Sequence, residues 1–329
     1  MVCQGEFVYI VAPALYRAYL EKGFYKYIPK KLLTRYQQSI KPRKICEYID
    51  RRDSEVKGYG IGVFISYENI SKEDYISRIT YGINFTKTDD TTDIILDEAY
   101  KLNESEYNEI ESQCGLKIFN GRIKIVDSIT DCIKKICTIR KSELKEQEIL
   151  IISDDTEDTK KIVLELSSEI NFLTIIGNDK EHISELEKLV LLETGLSIHS
   201  TGNVNRTLSK FDFIIFMRDS MDVDINKIRK KTIVIDASPY KKISRLIANK
   251  RKDLLVINDF IFSNSDNIFS MPEGFNFGRE VSSHIFEALN CQYKKEFIKI
   301  SVNNKKYSLN SALRLYTGKN RNMSVFRGK

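Results

Sequence analysis

A chain of 329 residues, 42% apolar and 30% charged, can bury a large core in one large or two ordinary domains, and this composition excludes a disordered protein. No apolar run approaches the ~18 to 20 residues that cross a bilayer, and the apolar run at 7–15 has neither a basic flank nor a cleavage site, so no transmembrane segment and no signal peptide are expected. The net charge of +6 is uneven: residues 22–46 and 292–329 together carry +17 and the rest −11, which suits an acidic partner or an anionic surface, or equally two solvated faces.

Residues 6–12 (EFVYIVA) are β-branched and aromatic and predict a strand. Pro13 opens a helical stretch, and a second follows with Leu32, Leu33 and Tyr36 at helical spacing. Tyr16, Tyr19, Phe24, Tyr25, Tyr27 and Tyr36 alternate there with Lys26, Lys30, Lys31 and Arg35. Such a surface could stack single-stranded nucleic acid, lie on an anionic membrane or meet an acidic carrier protein. An amphipathic helix pair with its tyrosines in the core is the plainer reading. KICEYIDR and SEVKGYGIGVFIS predict a hairpin, in which Gly58, Gly60 and Gly62 share one strand face and permit close backbone approach, as in a substrate channel. Ser71 is placed to cap a helix, with Asp74 three residues on. DIILDEA predicts a strand, SEYNEIESQC a helix stopped by Gly115, LKIFNG and KIV two short strands, and residues 128–140 a helix. The charged stretch 141–148 marks the expected boundary between domains.

From Ile149 the alternation is regular. Strands are predicted at ILIIS, FLTIIG, LSIHS, DFIIFM, TIVIDA and LLVIND, with helices at 156–168, 180–195, 203–210, 225–230 and 240–250 between them. Continuous apolar strands alternating with helices indicate a parallel sheet covered on both faces. The fold class is therefore α/β: a Rossmann-type doubly wound parallel sheet over 140–262, a smaller N-terminal α/β domain over 1–139, and a C-terminal piece, 263–329, packing back on both. That piece is expected to hold a helix at 279–290, two short strands and a basic tail.

Several segments in order resemble the long-chain fatty acyl-[acyl-carrier-protein] reductases, which share a two-domain plan like that of shikimate dehydrogenase. They are YRAYLEKGFYKYIPKKLLTRY, EVKGYGIGVFIS, GNDKEHISELEKLVLLETGLSI, VIDASPYKKIS followed by KRKDLLVINDFIF, PEGFNFGREVSSHIFEALN, and SVFRGK. The resemblance implies NADPH-dependent reduction of an acyl thioester to an aldehyde through an acyl-enzyme on a cysteine, chemistry that suits a thiolate.

Three elements of that chemistry are unmatched. The family's cysteine position falls on Glu280, and Cys291 lies beyond the helix. The phosphate-loop glycines align with Ser153, Thr156 and Thr159, beside Asp154, Asp155, Glu157 and Asp158. Side chains there crowd a diphosphate, and each like-charge contact at ~5 Å costs on the order of 1 kcal/mol. Acidic residues at that place instead suit a self-capped helix N-terminus. Asn178 stands where the family grips the NADPH 2′-phosphate; Lys180 is a partial replacement, and Asp179 is a candidate for a ribose hydroxyl or a helix cap. The glycine-rich substrate loop corresponds to residues 96–102, which hold no glycine.

The expectation is a non-reducing relative, a pseudoenzyme with no cofactor, binding an acyl chain, an acyl carrier protein or a partner enzyme. The alternative is an active oxidoreductase using NADPH or NADH through an atypical loop. Nucleic-acid binding through the basic ends is the less favoured class. Glu280 and His284, four residues apart on the expected helix, are the candidates for new acid–base work. Asp236 and Pro239 close the fifth strand at the edge where ligands bind in this architecture. The cysteines (Cys3, Cys46, Cys114, Cys132, Cys137, Cys291) form no CxxC pair, and the three histidines show no metal spacing, which predicts reduced, buried thiols in a cytoplasmic protein without a metal site.

Overall fold

The computed structural model describes residues 5–11, 39–65, 67–97, 101–200, 205, 208–219, 223–264, 269–272, 275–289 and 296–317. The expected N-terminal helix pair with its basic aromatic face, half of the helix expected at 203–210, Cys3, Cys291 and the last residues of the basic tail lie outside them. The chain forms two compact units, Met1–Gly121 with Phe262–Lys295, and Arg122–Ile261 with Glu296–Lys329. The division at Gly121 comes before the charged stretch that suggested a boundary, because the helix in between belongs with the Rossmann unit.

In the first unit the expected hairpin is present. β1 (Glu6–Ile10) is followed by β2 (Arg43–Asp50) and β3 (Val56–Gly62), and β2 and β3 pair antiparallel. Helix α1 (Lys72–Thr86) begins where Ser71 Oγ accepts the Asp74 amide at 3.1 Å. β4 (Thr91–Leu96), α2 (Glu104–Cys114) and β5 (Lys117–Ile118) follow, and α2 stops at Gly115 with φ 66°. β1 is central, parallel to both β3 and β4, and β4 is parallel to β5.

The glycine face of β3 is filled rather than open. A Cβ on Gly58 would fall 2.4 Å from the Phe7 ring, one on Gly60 2.3 Å from Cys46 Sγ, and one on Gly62 2.7 Å from the Phe64 ring. The glycines thus make room for this chain's own buried side chains, which corrects the channel reading.

The second unit starts with α3 (Arg122–Arg140), which absorbs the expected KIV strand into its first turns. Ile125, Ile129, Cys132, Ile133 and Ile136 are buried at helical spacing, and that period outweighs the local β-branched run. β6 (Glu148–Ile152), α4 (Glu157–Ser167), β7 (Phe172–Ile176), α5 (Lys180–Thr194), β8 (His199–Ser200), β9 (Phe213–Phe216), β10 (Ile233–Asp236), α6 (Lys242–Lys250) and β11 (Leu255–Ile257) follow. The helix expected at 225–230 is a single 3₁₀ turn, because the Ile225 and Ile228 carbonyls accept from the Arg251 guanidinium at 2.7 and 3.0 Å.

The six strands lie in the order β11-β10-β9-β6-β7-β8 and pair in parallel. This is the doubly wound Rossmann order, with its switch point between β6 and β9. Both faces are covered, so Ile149–Ile152 and Phe213–Phe216 are each at most 1% exposed. One face packs Leu150, Ile152, Ile214, Phe216, Val234 and Val256 with Ile243 and Ile247 of α6.

The chain returns to the first unit within β12 (Asp259–Ser263), then forms β13 (Phe269–Ser270), which pairs antiparallel with β2, and β14 (Glu280–Ser282). The helix expected at 279–290 is the shorter α7 (Ser283–Leu289). The hairpin of β15 (Phe297–Val302) and β16 (Lys305–Tyr307) is as expected, while α8 (Leu309–Thr317) occupies part of the expected tail.

The Gly58→Ala substitution should destabilise the protein by about 1–3 kcal/mol, because the buried Phe7 ring must move. Thermal melting followed by circular dichroism checks this against Gly195→Ser, where no atom lies within 4 Å of the added Cβ but φ is 74°, so its loss there is backbone strain alone.

Candidate dinucleotide crevice

Ligands in open parallel sheets bind outside the carboxyl ends of the strands at the switch point. Here that place is occupied by the protein itself. Arg122, in the first turn of α3, sends its guanidinium to the carboxyl ends of β6, β9 and β10. Its Nε donates to Asp158 Oδ2 at 2.7 Å, its Nη2 donates to Asp154 Oδ2, and its Nη1 donates to the Met217 and Ala237 carbonyls at 2.9 and 3.4 Å. The side chains of Arg122 and Asp154 are only 14% and 16% exposed. Asp154 uses its other oxygen to accept the Thr156 and Thr159 hydroxyls at 2.8 and 2.7 Å. The hydroxyl of Thr156 is spent in this way and does not cap α4.

The neighbouring crossing is closed by Asp155, whose backbone is left-handed with φ 58°. Its Oδ2 accepts the Asn178 and Asp179 amides at 3.0 and 3.2 Å, and its Oδ1 accepts the Ser153 hydroxyl at 3.0 Å. A Cβ on Gly177 would stand 2.4 Å from that Oδ1, so the close approach needs glycine. Asp179 caps α5 through the Glu181 and His182 amides at 2.9 and 3.1 Å, and Lys180 is exposed at the first position of the helix. Of the sequence-predicted residues, Thr156 and Thr159 gather on Asp154, and Ser153, Asn178 and Asp179 on Asp155, while Lys180 is exposed at the start of α5. Ser153 and Thr159 are 0% exposed.

The third crossing repeats the device. Asp219 accepts the Tyr240 and Lys242 amides at 2.9 and 2.8 Å. Buried Asp236 accepts the Ser244 amide and hydroxyl at 2.8 and 2.6 Å, and the Ser238 hydroxyl lies between the two acids, 2.9 Å from Asp219 and 2.5 Å from Asp236. Lys241, left-handed at φ 52°, donates to the Asp236 carbonyl at 2.6 Å. Part of Lys241 reaches solvent, but its ammonium end is enclosed, and burial holds it below the ordinary lysine range against the pull of Asp236, Asp259 and Asp219.

Arg122 is the residue that sequence reasoning missed. Its one legible signal is the helical period of Ile125, Ile129 and Cys132, which carries the helix back across the KIV run. Glu280 and His284 are not on one helix face: Glu280 begins β14 and His284 lies in the first turn of α7, so a strand–helix junction separates them. That corrects the expected pair.

The described cysteines (Cys46, Cys114, Cys132 and Cys137) are free and buried. Burial pushes the Cys46 and Cys114 thiols up to about 11 and raises those of Cys132 and Cys137, so all four are protonated near neutrality and poor nucleophiles. Among the described residues there is no group of three or more metal-ligating side chains, and no helix is long and apolar enough to cross a membrane.

The topology places the chain in the Rossmann class of α/β proteins. No protein-family model matches it, and none of the curated proteins does. Among solved structures it is similar to L-tryptophan dehydrogenase from Nostoc punctiforme (10% identity, TM-score 0.31, covering 77% of this chain and 69% of that one). It is also similar to shikimate dehydrogenase from Aquifex aeolicus (12%, TM-score 0.30, covering 78% and 88%). The likeness to Thermococcus litoralis Delta(1)-pyrroline-2-carboxylate reductase, in complex with NADH and L-proline, has 14% identity and TM-score 0.25 and covers 28% of this chain and 30% of that one. Likenesses this slight transfer no activity.

Replacing Arg122 with Met should cost about 2–3 kcal/mol, because Asp154 would be left as an uncompensated, largely enclosed charge, while the part-exposed Asp158 is screened by solvent. Urea unfolding checks this, and the added Asp154→Asn change should recover part of the loss.

Proposed function

We propose that the chain is a divergent relative of the fatty acyl-[acyl-carrier-protein] reductases that no longer carries out reduction and instead binds an acyl chain, an acyl carrier protein or a partner enzyme. The observation that carries this reading is the Arg122 guanidinium held by Asp154, Asp158 and two strand-end carbonyls, where a diphosphate would have to rest. A dinucleotide would have to displace that cation, keep the two freed carboxylates beside its own charges, and fit against side chains at positions 153, 156 and 159. The acyl-enzyme step lacks support as well. Glu280 stands at the family's cysteine position, and the described thiols are protonated. A carboxylate does not form the exchangeable thioester which that step requires.

Thermal unfolding with NADPH or NADH at 1 mM tests the non-redox half. A ligand with Kd near ~10 μM at that concentration would add about 2.7 kcal/mol, a shift of several degrees. No shift is expected. A clear shift with either dinucleotide would establish the alternative, an active oxidoreductase with an atypical loop. Solvent extraction of the purified protein followed by mass spectrometry tests the acyl half, and a bound fatty acyl species in near-stoichiometric amount is the expected result.

A further inference from the structure

The first unit carries a separate cluster of proton-moving groups. β1 and β4 are parallel neighbours with Tyr9 opposite Ile95, and Asp97 directly follows β4, so both lie toward the carboxyl edge of that sheet. The Tyr9 hydroxyl donates to Asp97 Oδ2. Asp97 Oδ1 lies 3.8 Å from His284 Nε2, and the Ser282 hydroxyl lies 3.1 Å from His284 Nδ1. These four residues come from β1, the end of β4, β14 and α7.

The arrangement is anchored on every side. The Tyr9 ring packs 4.9 Å from Phe277 and 6.0 Å from Tyr48, ring centroid to centroid, and the Tyr48 hydroxyl donates to the Phe275 carbonyl at 3.2 Å. Gly121, at φ 75°, lets the turn after β5 close on the start of α7, since a Cβ there would fall 2.6 Å from the His284 amide nitrogen. The imidazole and the Asp97 carboxyl nevertheless keep 16% and 24% of their side-chain surface in solvent, enough for a small molecule to reach them.

We propose that Asp97 and His284 form an acid–base pair that takes a proton from a small hydroxylic ligand, an alcohol or a water, lying against the half-buried Phe277. His284 is the group that touches the ligand; Asp97 and Tyr9 are positioning residues. One proton moves: the ligand O–H bond breaks, an N–H bond forms on the imidazole, and the Asp97 carboxylate balances the imidazolium charge. The freed oxygen lone pair is then available to attack an acyl carbon. The site shares no residue with the Rossmann crevice and does not depend on whether a dinucleotide binds there.

p-Nitrophenyl acetate is the probe. Water would attack its acyl carbon while His284 takes one proton, p-nitrophenolate would leave with the bond pair, and the acetic acid formed and the imidazolium would each release a proton to solvent. General-base help of this kind is worth ~10²–10⁴-fold, so His284→Gln should lose at least tenfold of the hydrolysis rate, with His199→Gln, on the exposed β8, as the control that keeps it. Asp97→Asn should lower kcat for hydrolysis at least threefold with KM little changed, because the imidazole is no longer oriented, and Asp97→Glu should restore part of that kcat. Tyr9, Tyr48 and Ser282 are among the hydroxyl groups set around the pair. A folded His284→Gln protein that hydrolyses the probe within twofold of wild type overturns the proposal. So does an Asp97→Asn protein whose kcat is unchanged.

Discussion

The second unit is organised by a single cation. Arg122 stands in the first turn of a helix, where the helix dipole disfavours positive charge, and it is held there by two carboxylates and two strand-end carbonyls. Those four acceptors come from the β6–α4 crossing, from the end of β9 on the other side of the switch point, and from the end of β10 next to it. A single guanidinium has donors enough to satisfy all of them, and its planar fork suits this multiple role better than an ammonium would. The fold that usually leaves its helix N-termini open for an anion is here closed around an internal ion network.

The closure is general and not confined to one loop. Asp155 holds the amides of Asn178 and Asp179, and Asp219 those of Tyr240 and Lys242, where an external anion would sit, while Asp154 holds Arg122 and the Thr156 and Thr159 hydroxyls. Backbone amides at a helix start attract negative charge from any source. A tethered carboxylate loses far less entropy on occupying them than a free ligand does. Asp155, on the Asn178 and Asp179 amides, and Lys241, whose ammonium donates to the Asp236 carbonyl, have left-handed backbone, a conformation that costs on the order of 1 kcal/mol for an ordinary residue and persists only when its surroundings compensate. The proton-moving groups of the first unit, Tyr9, Asp97 and His284, share none of these residues, so the two sets of chemistry are separable by mutation.

How much of this was legible in the sequence follows from the range of each interaction. The six Rossmann strands could be read directly, since a strand buried on both faces must be apolar throughout, as ILII and FIIF are. The absence of glycine between Ser153 and Thr159 was likewise visible, because a phosphate loop is a local pattern. Arg122 was not, as its partners lie 32 and 36 residues away and its helix begins in a stretch that locally resembles a strand. Glu280 and His284 were mispaired for a related reason: β14 is only three residues long, too short to show a period of two. Asp97 and His284 are separated in the sequence by Arg122–Ile261 of the second unit, so their approach leaves no local trace.

A crystal structure of the protein soaked with millimolar NADPH tests the central claim most directly. The account requires the Arg122 guanidinium to remain on Asp154 and Asp158, with no dinucleotide at the carboxyl ends of β6 and β9. A pyrophosphate resting on the backbone of residues 153–156, with Arg122 swung away, would contradict it.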